Sequence, residues 1–171
     1  GAGTVSVGEL HTQWLKTQAH VKASTKAARA SAWSVHVKER WEDVAVAEVQ
    51  TSGVRAWVDR LREGGAAAPT IENALGVLRM VLALAVEDKR IPRNPCVGVK
   101  APRRNHSPRA YLTHQQVDEL ANALARDGLV VRFLVYTGLR YGEMAALKVR
   151  DFDMLRRRVN VRESVTEVAG K

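Results

Sequence analysis

Apolar residues in the first half of the chain recur every three or four positions, the spacing that places them on one face of an α-helix. This pattern predicts four helices, over about residues 8–18, 24–38, 51–63 and 70–85, with Ser24 or Thr25 capping the second and Thr70 the fourth. Their predicted buried positions are Leu10, Trp14, Leu15, Ala30, Trp33, Val37, Val54, Trp57, Val58, Leu61, Ile71, Leu75, Leu78, Leu82 and Ala85. We therefore predict a mainly α region over residues 1–88, a small bundle whose tryptophans lie in the core.

The pattern after residue 109 combines helical and alternating spacing. The predicted elements are a helix capped by Thr113 and Gln116 and ended by Asp127-Gly128, an apolar helix over residues 129–136, a turn at Thr137-Gly138, a helix over about residues 140–146, and a strand around Val159 and Val161. The strand indicates a β-hairpin that the chain has entered by Lys171. Residues 110–171 are thus expected to begin an α+β domain.

The distribution of charge separates these two regions. The chain has 171 residues and a formal net charge of +9. Residues 1–88 contain ten basic and ten acidic residues, whereas residues 89–109 contain seven basic residues and no acidic one. Four of the five prolines also lie in residues 89–109, where they prevent a helix from continuing. We predict an extended basic linker over residues 89–109 between domains at 1–88 and 110–171.

A linker of this composition favours a polyanionic partner. Lysines and arginines that neutralise phosphates release counterions, so binding to nucleic acid would depend on salt. A solvated linker that is basic by chance is the alternative, and an anionic membrane fits less well because the run is not amphipathic. The predicted DNA contacts in the linker are Lys100, Arg103, Arg104 and Arg109.

Composition disfavours several other classes of protein. With 46% hydrophobic and 26% charged residues, the chain resembles folded globular proteins and not disordered ones. Its single cysteine, Cys96, excludes an internal disulfide framework and a cysteine-based zinc site. No apolar run approaches the roughly 18 residues of a membrane span, and no signal-peptide pattern opens the chain. We expect a cytoplasmic protein without a metal, another cofactor or a small-molecule substrate.

One stretch is more specific than these patterns: residues 137–153 read TGLRYGEMAALKVRDFD. It resembles the first arginine box of the tyrosine recombinases, the phage integrase family, in which T-G-x-R-x-x-E precedes a leucine and an Asp-hydrophobic-Asp sequence. The matching positions are Thr137, Gly138, Arg140, Gly142, Glu143, Leu147, Asp151 and Asp153. Residues 91–95 and 111–113 also resemble segments of the family, so the resemblance covers nearly the whole chain.

The resemblance implies a fold and a reaction. The fold would be a SAM-like four-helix core-binding bundle, a basic linker and the start of an α+β catalytic domain with a β-hairpin. In the family, a tyrosine hydroxyl attacks a DNA phosphodiester to form a 3′-phosphotyrosine, and the 5′-hydroxyl of another strand reverses this step without metal or nucleotide. Arg140 matches the first catalytic arginine and Glu143 the acidic residue that organises the site. The alternatives are a surface arginine at a helix start and an ordinary i,i+3 ion pair.

The chain departs from the family's full pattern. Tyr111, Tyr136 and Tyr141 lie at or before the arginine box, so none matches the nucleophile. The His-x-x-Arg sequence at residues 106–109 precedes the box and is read as a chance match, while Lys171 is a candidate for the hairpin lysine. We therefore expect a piece of a longer recombinase that binds double-stranded DNA, forms a homo-oligomer (a tetramer on DNA) when intact, and does not cleave DNA by itself.

Basic side chains on the predicted bundle are further candidates for DNA contacts. Lys22, Lys26 and Arg29 share one face of the second helix, and Asn73 and Arg79 lie on the fourth, where a solvated face is the alternative. Two other functions remain open. One is a non-catalytic DNA-binding regulator that occupies recombination sites, and the other is a helical protein-interaction module with an incidental basic linker.

Overall fold

The computed structural model describes residues 4–103 and 110–166, and the chain divides into two compact units, Gly1–His106 and Ser107–Lys171. The helices described are α1 (Val7–Lys16), α2 (Ala23–Ala32), α3 (Lys38–Trp41), α4 (Thr51–Glu63), α5 (Ala68–Glu87), α6 (His114–Ala123), α7 (Gly128–Thr137) and α8 (Tyr141–Ala145). An antiparallel hairpin pairs β1 (Phe152–Asp153) with β2 (Arg158–Val159). The predicted fold, mainly α with a β-hairpin in the second region, is confirmed.

α5 is the central helix of the first unit. Its buried residues are Ile71, Ala74, Leu75, Val77, Leu78, Val81, Leu82 and Ala85. α1, α2 and α4 all pack against it, and the four tryptophans of the chain lie in the same core, each at most 7% exposed. Within the described residues, α5 is also the one helix long and apolar enough to cross a membrane. Its buried stripe accounts for that composition, because the core helix of a bundle must be apolar on several sides.

Two predicted helix caps are wrong. α2 begins after Lys22 and α5 after Ala67, and neither side chain makes a capping hydrogen bond. The predicted caps, Ser24 or Thr25 and Thr70, therefore lie inside the first turns. α5 starts earlier than predicted because Pro69 lies in its first turn, where a fixed φ favours the helix and a missing N–H costs nothing.

The second predicted helix is interrupted by a π-helical turn over Trp33–Val37, which separates α2 from α3. A π turn holds more residues than an α turn, so the face that follows it is rotated relative to α2. Trp33 and Val37 are buried, whereas Ala30, predicted on the same face, is exposed. Leu15, another predicted core residue, is 48% exposed at the end of α1.

The start of the predicted linker is packed and not extended. Ile91, Cys96 and Val99 are each at most 8% exposed and belong to the same hydrophobic core as α5. Burial of these three side chains is the reason that the first unit continues past the predicted boundary at residue 88. Lys100 and Arg103 are exposed, and the predicted contacts Arg104 and Arg109 lie outside the described residues.

In the second unit, α6 and α7 pack closely against each other. The predicted capping box is confirmed: the Gln116 backbone N–H donates to Thr113 Oγ1 at 3.2 Å, and the Thr113 N–H donates to Gln116 Oε1 at 2.9 Å. A Cβ at Gly128 would lie 2.1 Å from the Ala121 carbonyl oxygen, so only glycine allows this approach of α7 to α6.

Candidate active site and nucleic-acid interface

A turn centred on Gly138 separates α7 from α8. Gly138 adopts φ 69° and ψ 11°, the left-handed conformation that glycine accommodates without strain, and its N–H donates to the Leu134 carbonyl at 2.9 Å. The Thr137 hydroxyl donates to the Phe133 carbonyl at 2.6 Å, so this contact also lies in the last turn of α7. This turn, residues 137–140, places Arg140 as the residue immediately before α8, and we call it the Arg140 turn.

Glu143 holds Arg140 at two points. The Arg140 backbone N–H donates to Glu143 Oε2 at 2.8 Å, and Arg140 Nη1 donates to Glu143 Oε1 at 3.2 Å. The Arg140 side chain is nevertheless 87% exposed, while the Glu143 side chain is 22% exposed. The arginine is thus anchored at its backbone and at one guanidinium nitrogen, with the rest of the guanidinium facing solvent.

The carboxyl group of Glu143 has a lowered pKa. The main cause is the hydrogen bond from the Arg140 backbone N–H, and the Arg140 guanidinium adds a further hydrogen bond and a favourable charge interaction. Since these contacts favour the ionised form, the carboxylate keeps its hold on Arg140 at neutral pH. The contacts weaken only when the pH falls through this lowered pKa.

Gly142 of the box lies against a later part of the chain. Its carbonyl accepts from the Val165 N–H at 2.9 Å, and a Cβ at this position would lie 2.3 Å from the Val165 carbonyl oxygen. A side chain here would push the segment around residue 165 away from the Arg140 turn. The glycine is therefore required by a close backbone approach, a reason that the spacing of the motif alone does not reveal.

The two aspartates of the motif have structural contacts. Asp151 is 5% exposed, its Oδ2 accepts from the Lys148 N–H at 2.9 Å, and its Oδ1 lies 3.5 Å from Arg162 Nε. Asp153 Oδ1 accepts from the Arg156 N–H at 2.9 Å in the hairpin turn. Asp151 thus satisfies a backbone donor in the segment between α8 and β1, and Asp153 satisfies one in the turn between β1 and β2.

The Arg140 turn is suited to binding a phosphate. A guanidinium presents paired donors that match two phosphate oxygens, and a fixed guanidinium loses less freedom when it does so. No group of three or more potential metal ligands occurs within residues 4–103 and 110–166. His106–Arg109 and Lys171 lie outside those ranges, so their predicted roles stay predictions.

The predicted contacts at the start of α2 and along it differ in how their side chains are held. Lys22 and Lys26 are exposed, and Lys26 Nζ lies 3.5 Å from the Ala19 carbonyl oxygen. Arg29 is partly buried: Nη1 donates to Gln18 Oε1, and the guanidinium carbon lies 5.7 Å from the centre of the Trp14 ring. Gln18 was not predicted as a site residue, and no motif in the sequence indicates it.

A groove between α2 and α5 brings Arg29 and Asn73 together, since both line it. Arg79, further along α5, is directed elsewhere, because its Nη2 donates to the carbonyls of Cys96 and Val99. The sequence placed Asn73 and Arg79 in one class of DNA contact, and the structure separates them. Contact with DNA stays a prediction for each of these residues.

Comparisons with known proteins address the identity of the chain. Residues 110–169 match the model of the phage integrase family. The integrase of Mycobacterium phage FRAT1 is 31% identical over 157 residues, which cover 88% of this chain and 44% of that protein. A putative prophage phiRv2 integrase of Mycobacterium tuberculosis strain H37Rv is 27% identical over 165 residues, 94% of this chain and 43% of that protein.

The fold is shared by a solved transposon integrase. The structure of the Tn1549 transposon integrase in complex with circular intermediate DNA matches with a TM-score of 0.84 at 22% identity, over 97% of this chain and 57% of that chain. The chain spans about two fifths of the length of the curated phage integrases it matches. The chain is thus homologous to integrases of phages and mobile elements, and its residues 110–169 match the phage integrase family.

Proposed function

We propose that this chain is part of a site-specific tyrosine recombinase of a phage or mobile element, comprising the DNA-binding bundle and the start of the catalytic domain. The observation that carries the proposal is the Arg140 turn. Glu143 fixes the backbone and one guanidinium nitrogen of Arg140, yet the side chain is 87% exposed. The turn also lies within the residues that match the phage integrase family.

In the proposed reaction, Arg140 stabilises charge on a DNA phosphate. A tyrosine hydroxyl outside this chain loses its proton and attacks phosphorus, the bond to the 5′-oxygen breaks, and a 3′-phosphotyrosine and a 5′-hydroxyl result. Negative charge builds up on the non-bridging oxygens in the transition state, where an anchored guanidinium is most effective. The 5′-hydroxyl of another strand then displaces the tyrosine, which restores the phosphodiester and conserves its bond energy.

The proposed partner is double-stranded DNA, in the cytoplasm of a bacterial host. Relatives of similar fold have been solved as complexes with circular intermediate DNA and with transposon end DNA. In this chain the exposed cations Lys22, Lys26, Lys100 and Arg103 are the proposed phosphate contacts, together with Arg29 and Asn73 in their groove. Assembly of the intact recombinase into a homo-oligomer on DNA is part of the same proposal.

The experiment that tests the catalytic part uses the gene product extended to the length of its relatives. Arg140→Ala should lower strand cleavage at least about 100-fold, because it removes a donor to the transition state, while duplex affinity stays nearly unchanged. Arg150→Ala, which removes an exposed arginine near the end of the box, is the control. Cleavage at a near-normal rate by Arg140→Ala would refute the assignment.

A non-catalytic DNA-binding regulator is the second candidate for the chain by itself. It is favoured by the position of Tyr111, Tyr136 and Tyr141, which all lie at or before the residue that follows Arg140. This candidate predicts duplex binding without a covalent adduct, and a stop codon after Lys171 in the gene. A phosphotyrosyl adduct formed by the 171-residue chain on a nicked duplex would exclude it.

A further inference from the structure

Arg79 and Asn94 fasten the segment that follows α5 to that helix. Arg79 Nη2 donates to the Val99 carbonyl at 3.2 Å and to the Cys96 carbonyl at 3.5 Å. In return, Asn94 Nδ2 donates to the Arg79 carbonyl at 2.8 Å, and Asn94 Oδ1 accepts from the Cys96 N–H at 3.0 Å. We call the two side chains and these backbone groups the Arg79–Asn94 clamp.

The clamp ends where the exposed basic segment begins. Cys96 is fully buried and Val99 is 5% exposed, and Gly98 between them turns the chain with φ 80°. Lys100 follows directly and is exposed, as is Arg103. The basic segment therefore starts from a point fixed on the surface of the bundle.

A fixed starting point matters for binding a polyanion. A free segment loses conformational entropy when it is ordered along a ligand, and this loss opposes binding. A segment whose first residue is already held loses less, so its cations bind more favourably without any additional contact.

We propose that the Arg79–Asn94 clamp is a positioning device, which sets where the segment Lys100–Arg103 leaves the bundle so that its cations reach DNA phosphates. Arg79 acts through Lys100 and Arg103 and is not itself a phosphate contact. The inference rests on the proposed binding to DNA. The inference gives Arg79 a different role from Asn73, although both were predicted as DNA contacts on α5. Asn73 lies in the groove with Arg29.

Asn94→Ala tests the clamp without changing the charge of the protein. The 171-residue chain is titrated with a fluorescent random-sequence duplex at several salt concentrations between about 50 and 200 mM. The slope of log affinity against log salt should fall in magnitude by up to about 1.8, because two phosphate contacts at about 0.9 each are weakened. When Lys100→Ala and Arg103→Ala are added to Asn94→Ala, the slope should fall little further. The reason is that the clamp and these two cations act on the same phosphate contacts.

Arg79→Lys distinguishes positioning from direct contact and serves if Asn94→Ala does not fold. Lysine keeps the positive charge but cannot present a planar guanidinium to two carbonyls. A clamp therefore predicts a reduced slope for Arg79→Lys, whereas a direct phosphate contact predicts an unchanged slope. Arg55→Lys, at an exposed position on α4, is the matched control and should behave as the unaltered chain.

The outcomes separate this inference from the proposed function. If the unaltered chain shows no salt-dependent binding to DNA, the proposed function is refuted and the inference with it. If the unaltered chain binds but folded Asn94→Ala or Arg79→Lys retains the full slope, the inference alone is refuted. The inference is also refuted if Lys100→Ala and Arg103→Ala lower the slope as much in the Asn94→Ala variant as they do in the unaltered chain.

Discussion

At the scale of single residues, contacts with the backbone give charged side chains their roles in this protein. Glu143 accepts from the Arg140 backbone N–H as well as from its guanidinium, and Arg79 donates to two backbone carbonyls. Backbone groups are fixed by the fold, so such a contact orients a long side chain better than another mobile side chain would. One arginine is thereby held facing solvent and the other is held against the bundle.

His11 makes the stability of the first unit depend on pH. Its ring stacks on Trp33 at 3.7 Å between centroids, and burial lowers its pKa to about 4. The histidine of the unfolded chain has a pKa near 6.5, so between these two values the unfolded state binds more protons. The His11 contribution to the free energy of unfolding is therefore complete above about pH 6.5 and decreases as the pH falls toward 4.

We expect His11→Phe to reduce this pH dependence, because phenylalanine keeps the stack but does not titrate. The measurement is the free energy of unfolding in urea at about pH 7 and about pH 5, compared between the variant and the unaltered chain. His20→Phe is the matched control, since His20 is exposed and its substitution should leave the pH dependence as it was. An equal pH dependence in His11→Phe and the unaltered chain would contradict the pKa assignment.

At the scale of elements, close packing decides where glycine and apolar side chains are needed. Gly142 and Gly128 both lie where a Cβ would meet a backbone carbonyl at less than 2.5 Å, whereas a Cβ at Gly76 in α5 would meet nothing within 4 Å. The same residue type is thus required at two positions and replaceable at the third.

Gly142→Ala should destabilise the second unit by about 1–3 kcal/mol, because the new methyl group overlaps the Val165 carbonyl. Gly76→Ala is the matched control and should stabilise the chain by up to about 1 kcal/mol through helix propensity. Denaturant unfolding followed by circular dichroism measures both effects. An unchanged midpoint for Gly142→Ala would mean that residues 164–165 do not pack on the Arg140 turn.

The packed start of the predicted linker provides a second test at this scale. Ile91 is 8% exposed within the core of the first unit, while Val97, six residues later, is 70% exposed. Ile91→Ala should lower the free energy of unfolding by about 2–4 kcal/mol, and Val97→Ala by less than about 0.5 kcal/mol. Equal effects would instead support an extended, solvated segment, as the prolines alone suggest.

At the scale of the whole molecule, the charge is concentrated and not spread over the surface. The first 88 residues carry equal numbers of acidic and basic residues, so their exposed lysines act locally and not through a net field. Lys22 lies immediately before α2 and Lys26 in its first half, and both are exposed on the helix that also carries Arg29. If DNA binds this face, removing these lysines should lower its affinity in a salt-dependent way.

We expect the double variant Lys22→Ala with Lys26→Ala to reduce the magnitude of the salt slope for duplex binding by about 1.8, or about 0.9 for each contact. Arg55→Ala with Arg62→Ala removes the same charge from α4 and should change the slope little. Fluorescence anisotropy titrations over a range of salt measure both. Equal losses for the two double variants would indicate attraction by overall charge and refute a specific α2 contact.

Much of the fold follows from patterns that are local in the sequence. The third helix was predicted over residues 51–63 and observed there, because its apolar residues keep a regular spacing and glycines end it. The capping box at Thr113 and the glycine turn before Arg140 were predicted for the same reason, since each depends on residues a few positions apart. The arginine box that carries the family resemblance is likewise a contiguous stretch.

The sequence by itself thus determined the helical class, the family resemblance and the Arg140–Glu143 pair, all of which depend on neighbouring residues. Only the tertiary structure decided that the linker start is buried, that a π turn rotates the helix after Ala32, and that Arg79 binds carbonyls about 20 residues away. These features arise from competition for space in a shared core, and a periodic pattern does not record which distant segments meet there. The role proposed for Arg79 differs from the predicted DNA contact for that reason: its partners are backbone atoms, which no residue type in the sequence reveals.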